Sequence, residues 1–153
     1  MKMKRCTFAG HRDSDRMLRP VIYGELESLI HDGVDEFYTG GMGDFDYMCE
    51  SCVRGLKWYY PNIKLYLVSP YLTTRMNGDP EYYRENYDHI IIPDLGDIYF
   101  KQAITKRNEW LAEECDVILC NVNRDGGAKR MMNYAEKLNK KIINFSEIKE
   151  FYE

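Results

Sequence analysis

Short apolar segments alternate along this chain with segments of helical periodicity, and this alternation restricts the fold more than any other feature of the sequence. The apolar segments, predicted to be strands, are residues 5–9, 34–39, 63–68, 90–92, 117–120 and 142–143. Strands that alternate with helices form parallel sheets covered on both faces. We therefore predict an α/β fold, a Rossmann-like three-layer sandwich with a mostly parallel sheet of about five strands.

Between these strands, apolar side chains recur at the helical period and predict helices. The predicted helices are residues 17–31, a second from Phe45 that is ended by Pro61, a third on Ala103, Arg107 and Leu111, and a fourth over residues 128–138. Residues 69–87 carry Pro70, Gly78, Pro80 and four tyrosines without a clear period. We predict an irregular excursion over the ligand face there, and whether it closes as a lid stays open.

Length and composition limit the class of protein. A chain of 153 residues suits one domain, so we predict a single nucleotide-binding domain over residues 1–153. Apolar residues make up 44% of the chain, too many for disorder, and no apolar run approaches a membrane span or a signal peptide. The net charge of -4 makes nucleic acid an unexpected partner. Five cysteines, an odd number, favour a reducing compartment, and we expect a cytoplasmic protein.

Cys49 and Cys52 form a C-x-x-C motif, but they share a helical face with Phe45, Val53 and Leu56. Buried packing is favoured over a redox or metal role. Further ligands at zinc-site spacing are missing from the sequence, so we predict no metal and no cofactor.

Three loops are expected at the carboxyl ends of the strands, where ligands bind in open parallel sheets. They are residues 10–15, 39–46 and 121–127. Gly40, Gly41 and Gly43 leave room for a ligand before a helix whose dipole favours an anion, which is typical of a phosphate site or of a tight turn. Gly126 and Gly127 also precede a helix, and the same two interpretations apply.

Several charged residues lie on or near these loops. Asp44 and Asp46 suit a helix cap or contacts with ribose hydroxyls. Arg107 lies on an apolar stripe, where a guanidinium needs a partner, either a phosphate or carboxylate ligand or a structural salt bridge. His11, Arg12 and Asp13 suit an acid, a base, an anion ligand or a solvated loop.

The tyrosines suit either stacking on a base or a homodimer contact, and periodicity does not choose between these roles. They are Tyr59, Tyr60, Tyr82, Tyr83 and Tyr87.

Four motifs together resemble the SLOG superfamily, whose Rossmann-like members are related to the DprA and LOG proteins. They are Phe8-Ala9-Gly10-His11-Arg12, Thr39-Gly40-Gly41-Met42-Gly43-Asp44, Phe100-x-x-x-Ile104-x-x-Arg107-Asn108 and Asp125-Gly126-Gly127. Within that superfamily the chain is most similar to the YpsA-like and phage YoqJ-like proteins.

The resemblance implies a phosphorylated nucleotide-derived ligand, of NAD, ADP-ribose or nucleoside monophosphate type. The expected ligand-binding residues are Gly10, His11, Arg12, Thr39, Gly40, Gly41, Gly43, Asp44, Asp46, Arg107, Asn108, Asp125, Gly126 and Gly127. In the LOG branch a catalytic Glu follows the last loop, and Met131 best matches its position here. Because a thioether does not replace a carboxylate, enzyme activity stays open, with Asp13, Asp44, Asp46 and Glu50 as candidate carboxylates.

Three functions follow from these residues. Binding or sensing of a nucleotide-derived small molecule is favoured, because the glycine loops and arginines suit a phosphate. The alternatives are a nucleotide N-glycosidase or phosphoribohydrolase, and single-stranded DNA handling of the DprA kind. A homodimer is compatible with all three.

Overall fold

Six parallel strands form one sheet in the computed structural model, which describes residues 3–147. The strands are β1 (Arg5–Gly10), β2 (Glu36–Thr39), β3 (Lys64–Val68), β4 (His89–Ile91), β5 (Val117–Asn121) and β6 (Lys141–Asn144). Their order across the sheet is β4-β3-β2-β1-β5-β6, and every neighbouring pair is parallel. The predicted Rossmann-like α/β fold is confirmed. The sheet has six strands instead of about five because both short apolar segments pair at its edges.

Helices cover both faces of the sheet. They are α1 (Arg19–His31), α2 (Asp44–Leu56), α3 (Thr74–Gly78), α4 (Pro80–Asn86), α5 (Ala103–Glu114) and α6 (Gly127–Lys137), with 3-10 turns at Arg16–Leu18, Phe100–Gln102 and Phe145–Glu147. None of the helices within residues 3–147 is long and apolar enough to cross a membrane.

Strand side chains alternate between two cores, one on each face. Phe8 and Leu119 pack with α1 and α2, whereas Ala9 and Ile118 pack with α5 and α6. Successive side chains of a strand point to opposite faces, so each strand contributes to both cores. Because both faces of the sheet are covered, the strands are nearly continuous apolar segments in the sequence.

Residues 69–87 are more regular than the sequence predicts, because they contain α3 and α4. The Thr73 hydroxyl accepts the N–H of Met76 at 3.1 Å, and the Asp79 carboxylate accepts the N–H of Tyr82 at 3.4 Å. The prediction of a wholly irregular segment is wrong. These helices are too short to show a period, and their capping residues were the available signal.

Two residues that fall within the first and second predicted helices lie outside α1 and α2 and are exposed. Met17 lies in the 3-10 turn before α1 and is 79% exposed, and Tyr59 lies beyond the end of α2 and is 74% exposed. By contrast, Cys49 and Cys52 are free thiols packed in the core of α1 and α2. Burial raises the pKa of both thiols, as expected for packing residues.

Candidate functional site

A cleft of about 400 Å³ opens at the carboxyl ends of β1 and β5. The chain proceeds from β1 to one side of the sheet, through β2, β3 and β4, and returns to form β5 and β6 on the other side. Such a reversal of strand order leaves a crevice between the loops that follow the two strands, and ligands of open α/β sheets bind there. The cleft is therefore the candidate site.

Many of the residues selected from the sequence line this cleft. They are Gly10, His11, Arg12, Asp46, Arg107, Asn108, Asp125, Gly126 and Gly127, joined by Met42, Ile104, Arg124 and Met131. Gly40 and Gly41 line a neighbouring cavity instead. Thr39, Gly43, Asp44, Asp13 and Glu50 are not among the residues that line the cleft.

The floor of the cleft depends on two close backbone approaches. A Cβ atom on Gly10 would lie 2.3 Å from Cγ of Phe45, so only glycine lets the first turn approach α2. Gly43 has φ +93°, and a Cβ there would lie 2.7 Å from Cα of Arg12. The N–H of Asp44 also donates to the carbonyl oxygen of Arg12 at 2.8 Å. The turn after β1 (residues 10–15, the first turn) and the loop after β2 (residues 40–43, the glycine loop) thus form one packed unit.

The amino terminus of α6 forms the opposite wall. Its cap position is Gly126, with φ +148° and no side-chain cap, and Gly127 and Ala128 of its first turn line the cleft. The first N–H groups of a helix lack partners within the helix and carry a partial positive charge. This wall therefore suits an anion.

Arg107 of α5 is buried between the cleft and the neighbouring cavity, with 2% of its surface exposed. Its Nη1 donates to the carbonyl oxygens of Val68 at 2.8 Å and Gly40 at 3.3 Å, and its Nε donates to Asn108 Oδ1 at 2.9 Å. Its Nη2 has one hydrogen bond within residues 3–147, to the Met42 sulfur at 3.3 Å. Burial lowers its pKa, and the nearby Asp46 opposes this effect.

A structural salt bridge was one interpretation of Arg107. Within residues 3–147 no carboxylate forms an ion pair with this guanidinium. The hydrogen-bond acceptors of Arg107 are neutral groups, and the acceptor of Nη2 is a thioether sulfur, which accepts weakly. A buried cation in this state favours a nearby anion.

Asp46 and Asp44 occupy different environments although both begin α2. Asp46 is 7% exposed, lines the cleft and accepts the N–H of Met42 at 3.1 Å, whereas Asp44 is exposed. Burial raises the pKa of Asp46 to about 7. Neither carboxylate caps α2, whose cap is Gly43 without a side-chain bond, so the capping interpretation is wrong.

Glu50 lies beneath the glycine loop in a network of hydrogen bonds. Its carboxylate accepts from the Thr39 hydroxyl at 2.7 Å, the Tyr87 hydroxyl at 2.6 Å and Arg54 Nη2 at 3.2 Å. Thr39 Oγ1 in turn accepts the N–H of Gly41 at 3.1 Å. The structure places Thr39 and Glu50 where they hold the loop in shape.

His11 links the two turns that border the cleft. Its Nε2 accepts the N–H of Asn123 at 3.2 Å, which places the ring proton on Nδ1. Burial, and then Arg124, lower the pKa of this imidazole. Asp13 is exposed and forms an ion pair with Arg124, which lowers the pKa of Asp13. His11 and Asp13 are thus two positions apart in the sequence but differ in burial.

Sequence patterns missed the neighbouring cavity, of about 180 Å³, that lies beside the glycine loop. Tyr47, Tyr71 and Arg75 line it together with Tyr82, Tyr83 and Tyr87. Tyr59 is not part of this lining. The tyrosine-rich composition of residues 69–87 was the only signal for this cavity.

Comparison with known proteins gives relatives in structure only. No protein-family model and no curated protein sequence matches the chain. Similar structures include DNA processing protein A from Helicobacter pylori, described for its single-stranded DNA binding mode, with a TM-score of 0.64 and 15% identity over 92% of this chain and 64% of that one. DNA processing protein A (DprA) from Streptococcus pneumoniae gives a TM-score of 0.63 and 12% identity over 92% and 50% of the two chains.

The molybdenum cofactor carrier protein of Chlamydomonas reinhardtii has a TM-score of 0.61 and 13% identity, with coverage of 97% of this chain and 80% of that one. The chain thus spans only about half to two-thirds of the two DNA processing proteins. At these identities the likeness shows the fold alone, an α/β fold that the chain shares with parts of these three proteins.

Proposed function

We propose that this chain binds or senses a phosphorylated, nucleotide-derived small molecule in the cleft between β1 and β5. The observation that carries the proposal is the state of Arg107, a buried guanidinium at the cleft wall without a carboxylate partner in the described part of the chain. Asp46 lies near enough to oppose the burial that lowers the pKa of Arg107 but forms no ion pair with it, and a phosphate in the cleft would supply such a pair. We also propose, on the motifs quoted above, a place among the YpsA-like SLOG proteins.

The rest of the cleft supports a nucleotide-type ligand. No side chain within residues 3–147 caps the amino terminus of α6, so its first N–H groups suit a phosphate, and Arg12 adds positive charge at the rim. Asp46 and Asn108 provide acceptors for ribose hydroxyls. A volume of about 400 Å³ falls within the roughly 300–1,000 Å³ of small-molecule sites.

A thermal-shift screen tests the proposal, with NAD, ADP-ribose, cyclic ADP-ribose isomers, AMP, other nucleoside monophosphates and free bases. A ligand that binds the native state raises its melting temperature. We expect stabilisation by at least one phosphorylated compound and recovery of that compound intact by mass spectrometry. If no phosphorylated compound of the panel raises the melting temperature, the proposal is contradicted.

Arg107→Gln provides the variant for this test, and Lys106→Gln is its matched control. Lys106 precedes Arg107 on α5, is half-exposed and pairs with Glu109. We expect Arg107→Gln to weaken binding of the stabilising compound at least about tenfold, because one charge-assisted hydrogen bond contributes about 1.5–3 kcal/mol. Lys106→Gln should bind as the native protein does.

Hydrolysis of the ligand's N-glycosidic bond is the second candidate function, and Asp46 is the observation that favours it. A buried carboxyl with a pKa of about 7 that lines a cleft has the properties of an acid, base or nucleophile. This function predicts a free base or a ribose phosphate in the mass spectra. The release should disappear in Asp46→Asn and persist in Asp44→Asn, since Asp44 is exposed and outside the cleft lining.

Binding of single-stranded DNA needs its own test. The net charge of -4 speaks against a nucleic-acid partner, but the fold is similar to that of DNA processing protein A. Retention of a labelled single strand that weakens with salt would support DNA handling. Failure to retain the strand even at low salt would leave the small-molecule site as the proposed function.

A further inference from the structure

The neighbouring cavity, called the tyrosine cavity below, adjoins the cleft and is lined by more aromatic residues. Its walls come from the glycine loop, the end of β3 and the segment that contains α3 and α4. Five tyrosines supply most of its aromatic surface, and they are Tyr47, Tyr71, Tyr82, Tyr83 and Tyr87. Leu67, Met76 and Ile104 add apolar surface. Half of the residues that line the cleft, in contrast, are glycines or charged residues.

Four of the five tyrosines contact a neighbouring aromatic ring or a guanidinium. Tyr83 stacks near Tyr87 with ring centroids 6.2 Å apart, and Tyr82 meets Tyr83 edge to face at 5.2 Å. The guanidinium of Arg75 lies 4.9 Å above the Tyr82 ring, and the Tyr71 ring stacks on Phe100 at 5.0 Å. The cavity is therefore built from aromatic groups that are already ordered.

Four of the five tyrosines that line this cavity have hydroxyl groups without a hydrogen-bond partner in the described part of the chain. Tyr87 donates its hydroxyl to Glu50, but the hydroxyls of Tyr47, Tyr71, Tyr82 and Tyr83 have no partner within residues 3–147. A purely apolar ligand would leave such groups unused. An aromatic group with ring nitrogens or exocyclic donors would use both the ring faces and the hydroxyls.

The two cavities share a wall. Met42, Ile104 and Arg107 line both of them, so Arg107 stands between a cleft suited to an anion and a cavity suited to an aromatic ring. A ligand that extends along this shared wall would have its phosphate in the cleft and a linked ring among the tyrosines. The volume of about 180 Å³ lies below the roughly 300 Å³ at which sites for drug-sized ligands begin, which fits one planar ring system.

We infer that the tyrosine cavity is the subsite for the aromatic heterocycle of the ligand, and that the ligand is a phosphate-linked nucleobase compound. This inference rests on the proposed function, because it requires the phosphate to occupy the cleft. Stacking on tyrosine tolerates different bases, since each base has a π face. The cavity thus favours a base over a bare sugar phosphate.

Calorimetric titration tests the inference with AMP and ADP-ribose, which carry adenine, and with ribose 5-phosphate, which does not. The variants are Tyr71→Leu and Tyr47→Leu, and Tyr59→Leu is the matched control outside the cavity. Neither Tyr71 nor Tyr47 belongs to the buried core, so both variants are expected to fold. Thermal unfolding of each variant verifies this.

We expect at least one adenine compound to bind the native protein roughly tenfold more tightly than ribose 5-phosphate does. Tyr71→Leu and Tyr47→Leu should remove most of that preference and leave the affinity for ribose 5-phosphate unchanged, whereas Tyr59→Leu should retain it. Equal binding with and without adenine, or a preference that both cavity variants retain, would overturn the inference alone. Absence of binding by these compounds and by every other phosphorylated compound of the thermal-shift panel would overturn the proposed function, and the inference with it.

Discussion

Arg107 Nη1 donates to the carbonyl oxygen of Val68 at 2.8 Å and so fastens α5 to the end of β3. The same nitrogen donates to the carbonyl oxygen of Gly40, at 3.3 Å, in the glycine loop. One buried side chain therefore supports the loop, the cleft and the tyrosine cavity together. Its structural contribution is separable from its contribution to binding, because stability is measurable without ligand.

Arg107→Lys is expected to lower the free energy of unfolding by about 1–3 kcal/mol in the absence of ligand. An ammonium group lacks the planar fork that reaches both carbonyl oxygens, and a buried acceptor that loses its donor costs about this much. Urea denaturation measures the effect. Lys106→Arg, on an exposed part of the same helix, should change the stability by less than about 0.5 kcal/mol. Equal stabilities of the two variants would contradict this account.

Gly10→Ala is expected to destabilise the protein by about 1–3 kcal/mol, because the added methyl would overlap the ring of Phe45 at the start of α2. Gly24→Ala serves as the opposite case. Gly24 lies inside α1 with open space around its Cβ position, so alanine should stabilise the helix by about 0.5–1 kcal/mol. Chemical denaturation measures the free energy of unfolding of both variants. A neutral Gly10→Ala would show that the first turn and α2 are not tightly packed.

Tyr87→Phe removes one donor from the buried carboxylate of Glu50 and should cost about 1–2 kcal/mol. Arg54 and Thr39 still donate to Glu50, so the protein should remain folded. Tyr83→Phe is the control, since the Tyr83 hydroxyl has no partner in residues 3–147, and a change below about 0.5 kcal/mol is expected. The prediction fails if thermal or urea unfolding shows equal losses for both substitutions.

The raised pKa of Asp46 predicts that the free energy of unfolding depends on pH. Its pKa is raised from 3.8 to about 7 by burial, so between these values the native state keeps a proton that the unfolded chain has released. The free energy of unfolding must then contain a contribution that is present below about pH 4 and is lost as the pH rises toward 7.

Asp46→Asn removes this titration. Relative to the native protein, the variant should gain stability on the order of 1–3 kcal/mol between about pH 4 and pH 7, because each tenfold displacement of an acid equilibrium corresponds to about 1.4 kcal/mol. Urea midpoints at several pH values measure the difference. Asp44→Asn, at an exposed position, should follow the native curve. A constant difference between Asp46→Asn and the native protein would refute a raised pKa.

Sequence patterns predicted the architecture and much of the site. Apolar periodicity depends on which face of a strand or helix is buried, so it located the six strands and the four longer helices. Glycines after strands and before helices indicated the ligand edge, and Gly10, Gly126 and Gly127 do line the cleft. The same local logic failed for α3 and α4, whose few residues show no period.

Tertiary structure alone decided what each side chain of the site faces. Asp44 and Asp46 are equivalent as sequence signals, but only the packing of α2 under the glycine loop buries Asp46 beside Arg107. The carbonyl oxygens that accept from Arg107 Nη1 belong to residues 40 and 68, far away in the chain. The tyrosines of residues 69–87 form a cavity because β3 and α4 bring them beside that loop. Local patterns report burial along one element, whereas charge pairing and cavity shape arise from contacts between elements.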